Sequence, residues 1–187
     1  MIKVGQQVPD FSLSVYHDDE IKNVNLSDYK GQWLVVVFYP ADFTFVCPTE
    51  LEDVADLYPQ FQQAGAEVIS VSTDTAFVHK AWHDSSDAIG KVGYPMGADP
   101  TGAVSKLFDV YIDNEGLALR GTFIIDPNGV LKTAEIHDLG IGRSAAEALR
   151  KLEAAIFVHE HGDQVCPANW KPGADTLKPG LDLVGKI

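Results

Sequence analysis

Apolar runs and the breaks between them predict alternating strands and helices in the first half of the chain. Trp33–Tyr39 is apolar throughout and rich in β-branched residues, as expected of a strand covered on both faces of a sheet. Apolar residues then recur at helical spacing behind Pro48, and Gly65 ends that predicted helix. Glu67–Ser72 has the composition of a second strand, and a second helix is predicted after Asp74.

Two prolines constrain the first of these helices. Proline is tolerated near the first turn of a helix, so Pro48 places Cys47 at or beside the N-terminus. Further along, Pro59 removes a backbone donor, and it predicts a kink or an early end.

The second half of the chain predicts a hairpin and a closing helix. Two strand-like segments, Gly121–Asp126 and Val130–Ile136, flank a turn that contains Asn-Gly. A short helix is expected between Thr101 and Phe108. Ser144 and Glu147 form a capping box in front of the last helix, which carries an apolar stripe.

The order of these elements predicts an α/β protein with a thioredoxin-like fold. Its central mixed β-sheet would be parallel in the first part, antiparallel at the hairpin, and flanked by helices. Glycine and proline become frequent after His161. We therefore expect a domain over residues 1–161 and an irregular C-terminal arm over residues 162–187.

Composition and charge narrow the class of protein. The chain has 187 residues, 45% of them hydrophobic and 22% charged, which suits one globular domain. A formal net charge of -13 argues against nucleic acid or an anionic membrane as a partner, because phosphate groups would be repelled. The sequence shows neither a signal peptide nor an apolar run long enough to span a bilayer, so we expect a cytoplasmic protein.

The two cysteines are the candidate chemical groups. Without context, Cys47 and Cys166 could equally be unrelated thiols, but each lies in a Val-Cys-Pro tripeptide. They form no Cys-x-x-Cys pair, and with the histidines they give no zinc-site spacing, so no metal is expected. Cys47 lies between a buried strand and a helix start, where backbone N–H groups and the helix dipole favour a thiolate.

The pattern Pro40-x-x-x-Thr44-x-x-Cys47 resembles the active-site signature of the peroxiredoxins. Five segments, the first of which contains Thr44 and Cys47, agree in order with the typical two-cysteine class of that family, and most closely with the C subunits of bacterial alkyl hydroperoxide reductases. The agreeing segments are Phe43–Glu50, Val71–Asp74, Arg120–Asp126, Val165–Pro167 and Val184–Ile187.

This resemblance implies a thiol peroxidase that reduces hydrogen peroxide and organic hydroperoxides. Cys47 would be the peroxidatic nucleophile and would become a sulfenic acid. Cys166 would be the resolving thiol, and the product would be an intersubunit Cys47–Cys166 disulfide. Arg120 would lie beside the thiolate and orient the peroxide, and Pro40 would shield the thiolate from water.

Two residues keep alternative roles at this point. The resemblance implies that the Thr44 hydroxyl bonds to the thiolate and the peroxide, but threonine is also a common helix cap. Glu50 could pair with Arg120, or it could simply complement the dipole of the first helical turn.

The resemblance also implies partners. No Gly-x-Gly-x-x-Gly follows a strand, so no bound flavin or nicotinamide is expected. Electrons would come from NADH through a separate flavoprotein disulfide reductase, the F subunit, with thioredoxin as the alternative. Homodimers would assemble into a pentamer of dimers.

Two other functions remain open. The chain could act as a peroxide sensor or as a redox-regulated holdase chaperone. A general thiol–disulfide oxidoreductase is the third possibility, and the lack of Cys-x-x-Cys counts against it.

Overall fold

The computed structural model describes residues 2–186, and within that range nine strands and four α-helices are found. The strands are β1 (Ser12–His17), β2 (Glu20–Asn25), β3 (Trp33–Phe38), β4 (Ala66–Ser72), β5 (Met96–Ala98), β6 (Tyr111–Ile112), β7 (Leu117–Ala118), β8 (Arg120–Ile125) and β9 (Leu131–His137). The helices are α1 (Cys47–Gln63), α2 (Ala76–Ser85), α3 (Ala103–Leu107) and α4 (Ala145–Glu160).

Seven of the strands form one mixed sheet in the order β2-β1-β5-β4-β3-β8-β9. The central strands β3, β4 and β5 are parallel, and β1 and β8 join them antiparallel on either side. The short hairpin β6–β7 forms a separate two-stranded sheet. Because β8 runs antiparallel to β3, its first residues lie beside the carboxyl end of β3, where the chain leaves the sheet towards Cys47.

The sheet is covered on both faces. Val35 and Val37 of β3 pack into one buried cluster with α1, α2 and α4. Leu34, Val36 and Phe38 point the other way, into a second cluster that includes residues of α3 and the N-terminal segment. All six residues of β3 are buried, which accounts for its uninterrupted apolar sequence.

The predicted fold class is confirmed: the structure is a mixed sheet flanked by helices. The hairpin and the short helix are found close to their predicted positions, and α1 ends one residue before Ala64. Of the two effects predicted for Pro59, a kink or an early end, the early end is not found, because α1 continues to Gln63. Pro59 lies on an exposed face, where water can reach the carbonyl that its ring leaves without a backbone donor.

The chain beyond α4 folds back on itself in an irregular arm. Val165 and Leu177 form an isolated antiparallel bridge, and Trp170 is buried against Phe157 of α4. No helix in residues 2–186 combines the length and the apolar character needed to cross a bilayer.

Candidate active site

The candidate site lies where β3 ends and α1 begins. Pro40 is buried directly beyond the strand, and Cys47 is the first residue of α1. Pro48 follows it within the first turn, a position where the missing N–H costs no helical hydrogen bond. The Cys47 side chain is fully buried, and its thiol is free.

Arg120 brings a positive charge to the sulfur. Its Nη1 atom lies 3.5 Å from the Sγ of Cys47, although the two residues are 73 positions apart. Its Nε donates to the carbonyl of Leu139 at 2.7 Å, which fixes the plane of the guanidinium. A buried cation at this distance stabilises negative charge on sulfur much more effectively than one in water would.

Glu50 links this arginine to a second one. Its carboxylate accepts from Arg120 Nη1 at 2.5 Å and from the backbone N, Nε and Nη2 of Arg143 at 2.8, 2.8 and 3.1 Å. Burial raises the pKa of Glu50, but the hydrogen bonds and charge of Arg143, together with the charge of Arg120, outweigh burial and lower it. The carboxylate therefore stays ionised and orients both guanidinium groups.

Arg143 was not predicted from the sequence. It lies just before the capping box of α4, where a single arginine gives no signal of a partner. Its Nη1 also donates to the carbonyl of Gly121 at 2.8 Å and to the Thr122 hydroxyl at 3.1 Å, which ties Glu50 to β8. Contacts 93 residues apart, as between Arg143 and Glu50, leave no local pattern in the sequence.

The structure corrects the alternative role of Thr44. Its hydroxyl donates to the carbonyl of Ala41 at 2.8 Å, inside the loop before α1. The N-cap position of α1 is Val46, which makes no side-chain capping hydrogen bond, so Thr44 is not the helix cap. The lone pairs of the Thr44 oxygen remain available to accept from another donor.

A second buried polar group holds the same loop. Asp42 receives the Tyr39 hydroxyl at 2.6 Å and lies 2.7 Å from Nδ1 of His79, and both carboxylate and imidazole are fully buried. The other ring nitrogen of His79 is 3.0 Å from the carbonyl of Gly97. The backbone N–H of Asp42 donates to Asp74 at 2.9 Å. No local pattern in the sequence indicated Asp42 or its contact with His79.

Cys166 lies in the arm, half-buried against α4. Its Sγ is 3.8 Å from the carbonyl oxygen of Ala154, and it too is a free thiol. Burial raises the pKa of the Cys166 thiol, and the charge of Arg150 partly offsets that rise. In the part of the chain that the structure describes, His, Cys, Asp and Glu side chains form no group of three or more that could hold a metal ion.

Comparisons with known proteins agree with this geometry. Residues 4–134 match the model of the AhpC/TSA family, and residues 157–184 match the C-terminal domain of 1-Cys peroxiredoxin. Alkyl hydroperoxide reductase C of Staphylococcus epidermidis is 53% identical, with both chains covered completely.

Two solved structures extend the agreement to the fold. The crystal structure of Enterococcus faecalis AhpC has a TM-score of 0.86 and 50% identity, covering 89% of this chain and 100% of that one. Reduced Plasmodium vivax 2-Cys peroxiredoxin has a TM-score of 0.91 and 33% identity, with coverage of 96% and 94%. With a family match over most of its length and a full-length relative at this identity, the chain belongs to the AhpC/TSA family of peroxiredoxins.

Proposed function

We propose that this chain is a thiol-dependent peroxidase that reduces hydrogen peroxide and organic hydroperoxides to water or alcohols. The observation that carries the proposal is the 3.5 Å contact between the Arg120 guanidinium and the Cys47 sulfur at a helix N-terminus. The Cys47 thiolate attacks one peroxide oxygen, the O–O bond breaks, and Cys47 becomes a sulfenic acid. The departing oxygen takes up a proton and leaves as water or an alcohol.

The surrounding residues each serve this step. Arg120 stabilises the thiolate and the charge that develops on the peroxide oxygens, and Glu50 holds Arg120 in place. Pro40 keeps water away from the sulfur. Thr44 uses the lone pairs of its hydroxyl oxygen to accept a hydrogen bond from the peroxide.

Cys166 completes the cycle by forming a disulfide with Cys47 of a second copy of the chain. A disulfide needs Cα atoms about 4.4–6.8 Å apart, and Cys47 is fully buried in the first turn of α1. The first turn of α1 must therefore unwind before the two sulfurs can meet. Residues 162–187 act as the arm that carries Cys166, and residues 1–161 as the peroxidase domain.

Electrons return through another protein. The relatives named alkyl hydroperoxide reductase C support an NADH-dependent flavoprotein disulfide reductase, the F subunit, as the donor, with thioredoxin as the alternative. The chain itself needs no bound cofactor in this scheme. We further propose a cytoplasmic homodimer that assembles into a pentamer of dimers.

Peroxide consumption with two cysteine variants tests the proposal. Cys47→Ser should consume no peroxide, whereas Cys166→Ser should reduce one equivalent and then stop. A non-reducing gel after a peroxide pulse should show a dimer band that dithiothreitol removes and that both variants lack. Full activity in Cys47→Ser would reject the mechanism.

Peroxide consumption by the wild-type protein separates a peroxidase from a peroxide sensor or redox-regulated holdase. With a reductase and NADH present, a peroxidase turns over many equivalents of peroxide. A sensor would react once and stall in its oxidised form.

A further inference from the structure

One face of α4 carries the arm that contains Cys166. Glu147, Arg150, Ala154 and Phe157 recur at spacings of three and four residues, so they share that face. The Cys166 sulfur contacts the Ala154 carbonyl at 3.8 Å, and the Trp170 ring packs on Phe157 with centroids 5.0 Å apart. The segment from Cys166 to Trp170 therefore lies along this face of α4.

Arg150 links this face of α4 to the arm by hydrogen bonds. Its Nε and Nη2 donate to the two carboxylate oxygens of Glu147 at 2.7 and 2.8 Å, which fixes the orientation of the guanidinium. Its remaining amino group, Nη1, donates to the carbonyl of Trp170 at 3.0 Å. Arg150 thus binds the main chain of the arm four residues beyond the cysteine.

Arg150 lies one helical turn before Ala154, whose carbonyl oxygen the Cys166 sulfur contacts at 3.8 Å, so its positive charge is on the same helix face as the sulfur. Burial raises the pKa of the Cys166 thiol, and the charge of Arg150 partly offsets that rise. Two ionisable groups close to Cys166 in sequence have other contacts. Asp163 pairs with Lys178 at 3.0 Å, and His161 stacks on Phe157.

We propose that Arg150 is a positioning residue for the resolving step, which holds the arm on α4 through Trp170 and places a positive charge on the helix face against which the Cys166 sulfur packs. The inference rests on the proposed peroxidase cycle. In that step the Cys166 thiolate attacks the sulfenic sulfur of Cys47. The S–S bond forms as the S–O bond breaks, and the hydroxide released takes a proton from solvent to become water. The Cys166 sulfur is oxidised and the Cys47 sulfur is reduced, so no other redox partner is needed.

Loss of the Arg150 charge should slow the resolving step, in which the disulfide forms, and should shift its pH profile. Arg150→Met should slow disulfide formation about 3- to 10-fold at pH 7, because less of Cys166 is thiolate without the cation. The deficit should shrink as pH rises above about 9, where the thiol ionises without help. Arg150→Lys keeps the charge and should retain most of the rate at pH 7.

Rapid-quench measurements on the full-length chain test this. Reduced protein is mixed with one equivalent of hydrogen peroxide, and sulfenic acid and disulfide are quantified over time between pH 5.5 and 9.5. Lys80→Met is the matched control, because it removes one cation from a helix surface, where Lys80 pairs with Asp84. It should leave both steps at the wild-type rate.

Three outcomes would overturn the assignment. One is an Arg150→Met profile that coincides with wild type. Another is a loss of equal size at every pH in both Arg150 variants, which would indicate a structural role only. The third is a loss of the same size in Lys80→Met. Failure of the proposed function would look different, because wild-type protein would then form neither sulfenic acid nor disulfide.

Discussion

The buried carboxylate of Glu50 offers the sharpest test of how the site is held together. It is 3% exposed and accepts four hydrogen bonds, one from Arg120 and three from Arg143. Glu50→Gln keeps the shape of the side chain but removes the negative charge. It also turns an acceptor into an NH₂ donor that faces guanidinium donors.

The size of the stability loss in Glu50→Gln follows from leaving two buried cations, Arg120 and Arg143, without their anion. Breaking a buried ion pair costs about 3–5 kcal/mol of unfolding free energy. For a chain of this length, each kcal/mol corresponds to roughly 2–4 °C in Tm. We therefore expect Glu50→Gln to lower Tm by roughly 6–20 °C.

Glu52→Gln is the matched control, two residues along the same helix. Glu52 pairs with Lys91 at the surface, where the side chains are 36% and 52% exposed, and such pairs contribute about 0–1 kcal/mol. Urea unfolding of the reduced proteins, followed by circular dichroism, measures both variants. Equal losses in the two variants, or a loss below about 1 kcal/mol in Glu50→Gln, would refute the reasoning.

Acid should remove the difference in unfolding free energy between wild type and Glu50→Gln. The pKa of Glu50 is lowered in the folded state, so its stabilisation is fully present above the unfolded value of about 4.3 and is lost as pH falls through the folded pKa. Urea titrations at decreasing pH should therefore show the gap narrowing below about pH 4.3. A gap that stays constant down to acid denaturation would contradict the assignment of the lowered pKa to Glu50.

Three further predictions concern the loop, the sulfur and its overoxidation. Arg120→Met should slow Cys47 oxidation by hydrogen peroxide about 100-fold in stopped-flow measurements, because one preorganised donor to the reacting oxygens is lost. A rate change of less than about threefold would contradict the role proposed for Arg120. Asp42→Asn should cost about 1–3 kcal/mol of unfolding free energy, because an NH₂ donor replaces one of the buried oxygens that accept from Tyr39 and contact His79. The control Asp84→Asn, at an exposed ion pair, should cost much less. The sequence contains no Gly-Gly-Leu-Gly segment, the loop that the family resemblance links to easy overoxidation. Mass spectrometry should therefore find little Cys47 sulfinate after a few equivalents of peroxide, and abundant sulfinate would contradict this.

Local patterns predicted the elements that present the cysteines. The apolar run of β3, the proline after Cys47 and the Asn-Gly turn each act within a few residues, through burial, a missing N–H and a tight turn. Local patterns did not predict the order of the strands across the sheet. β5 was not predicted as a strand, and the structure inserts it between β1 and β4.

The resemblance to a family supplied a further part of the site. It assigned Arg120 a place beside Cys47, and the structure has them 3.5 Å apart. It left open whether Glu50 pairs with that arginine, and it said nothing of Arg143. Both questions depend on how β8 and the segment before α4 approach the start of α1.

By itself, the sequence determined that a cysteine stands at the start of a helix behind a buried strand, and that a second cysteine lies in an irregular arm. Those features depend on backbone and turn chemistry over a few neighbouring residues. The tertiary structure decided which charges lie around the two cysteines: Arg120 at Cys47, with Glu50 and Arg143 behind it, and Arg150 on the helix face against which Cys166 packs. The physical reason is that side chains far apart in sequence meet only through strand order, register and helix packing, and no local pattern of residues encodes these.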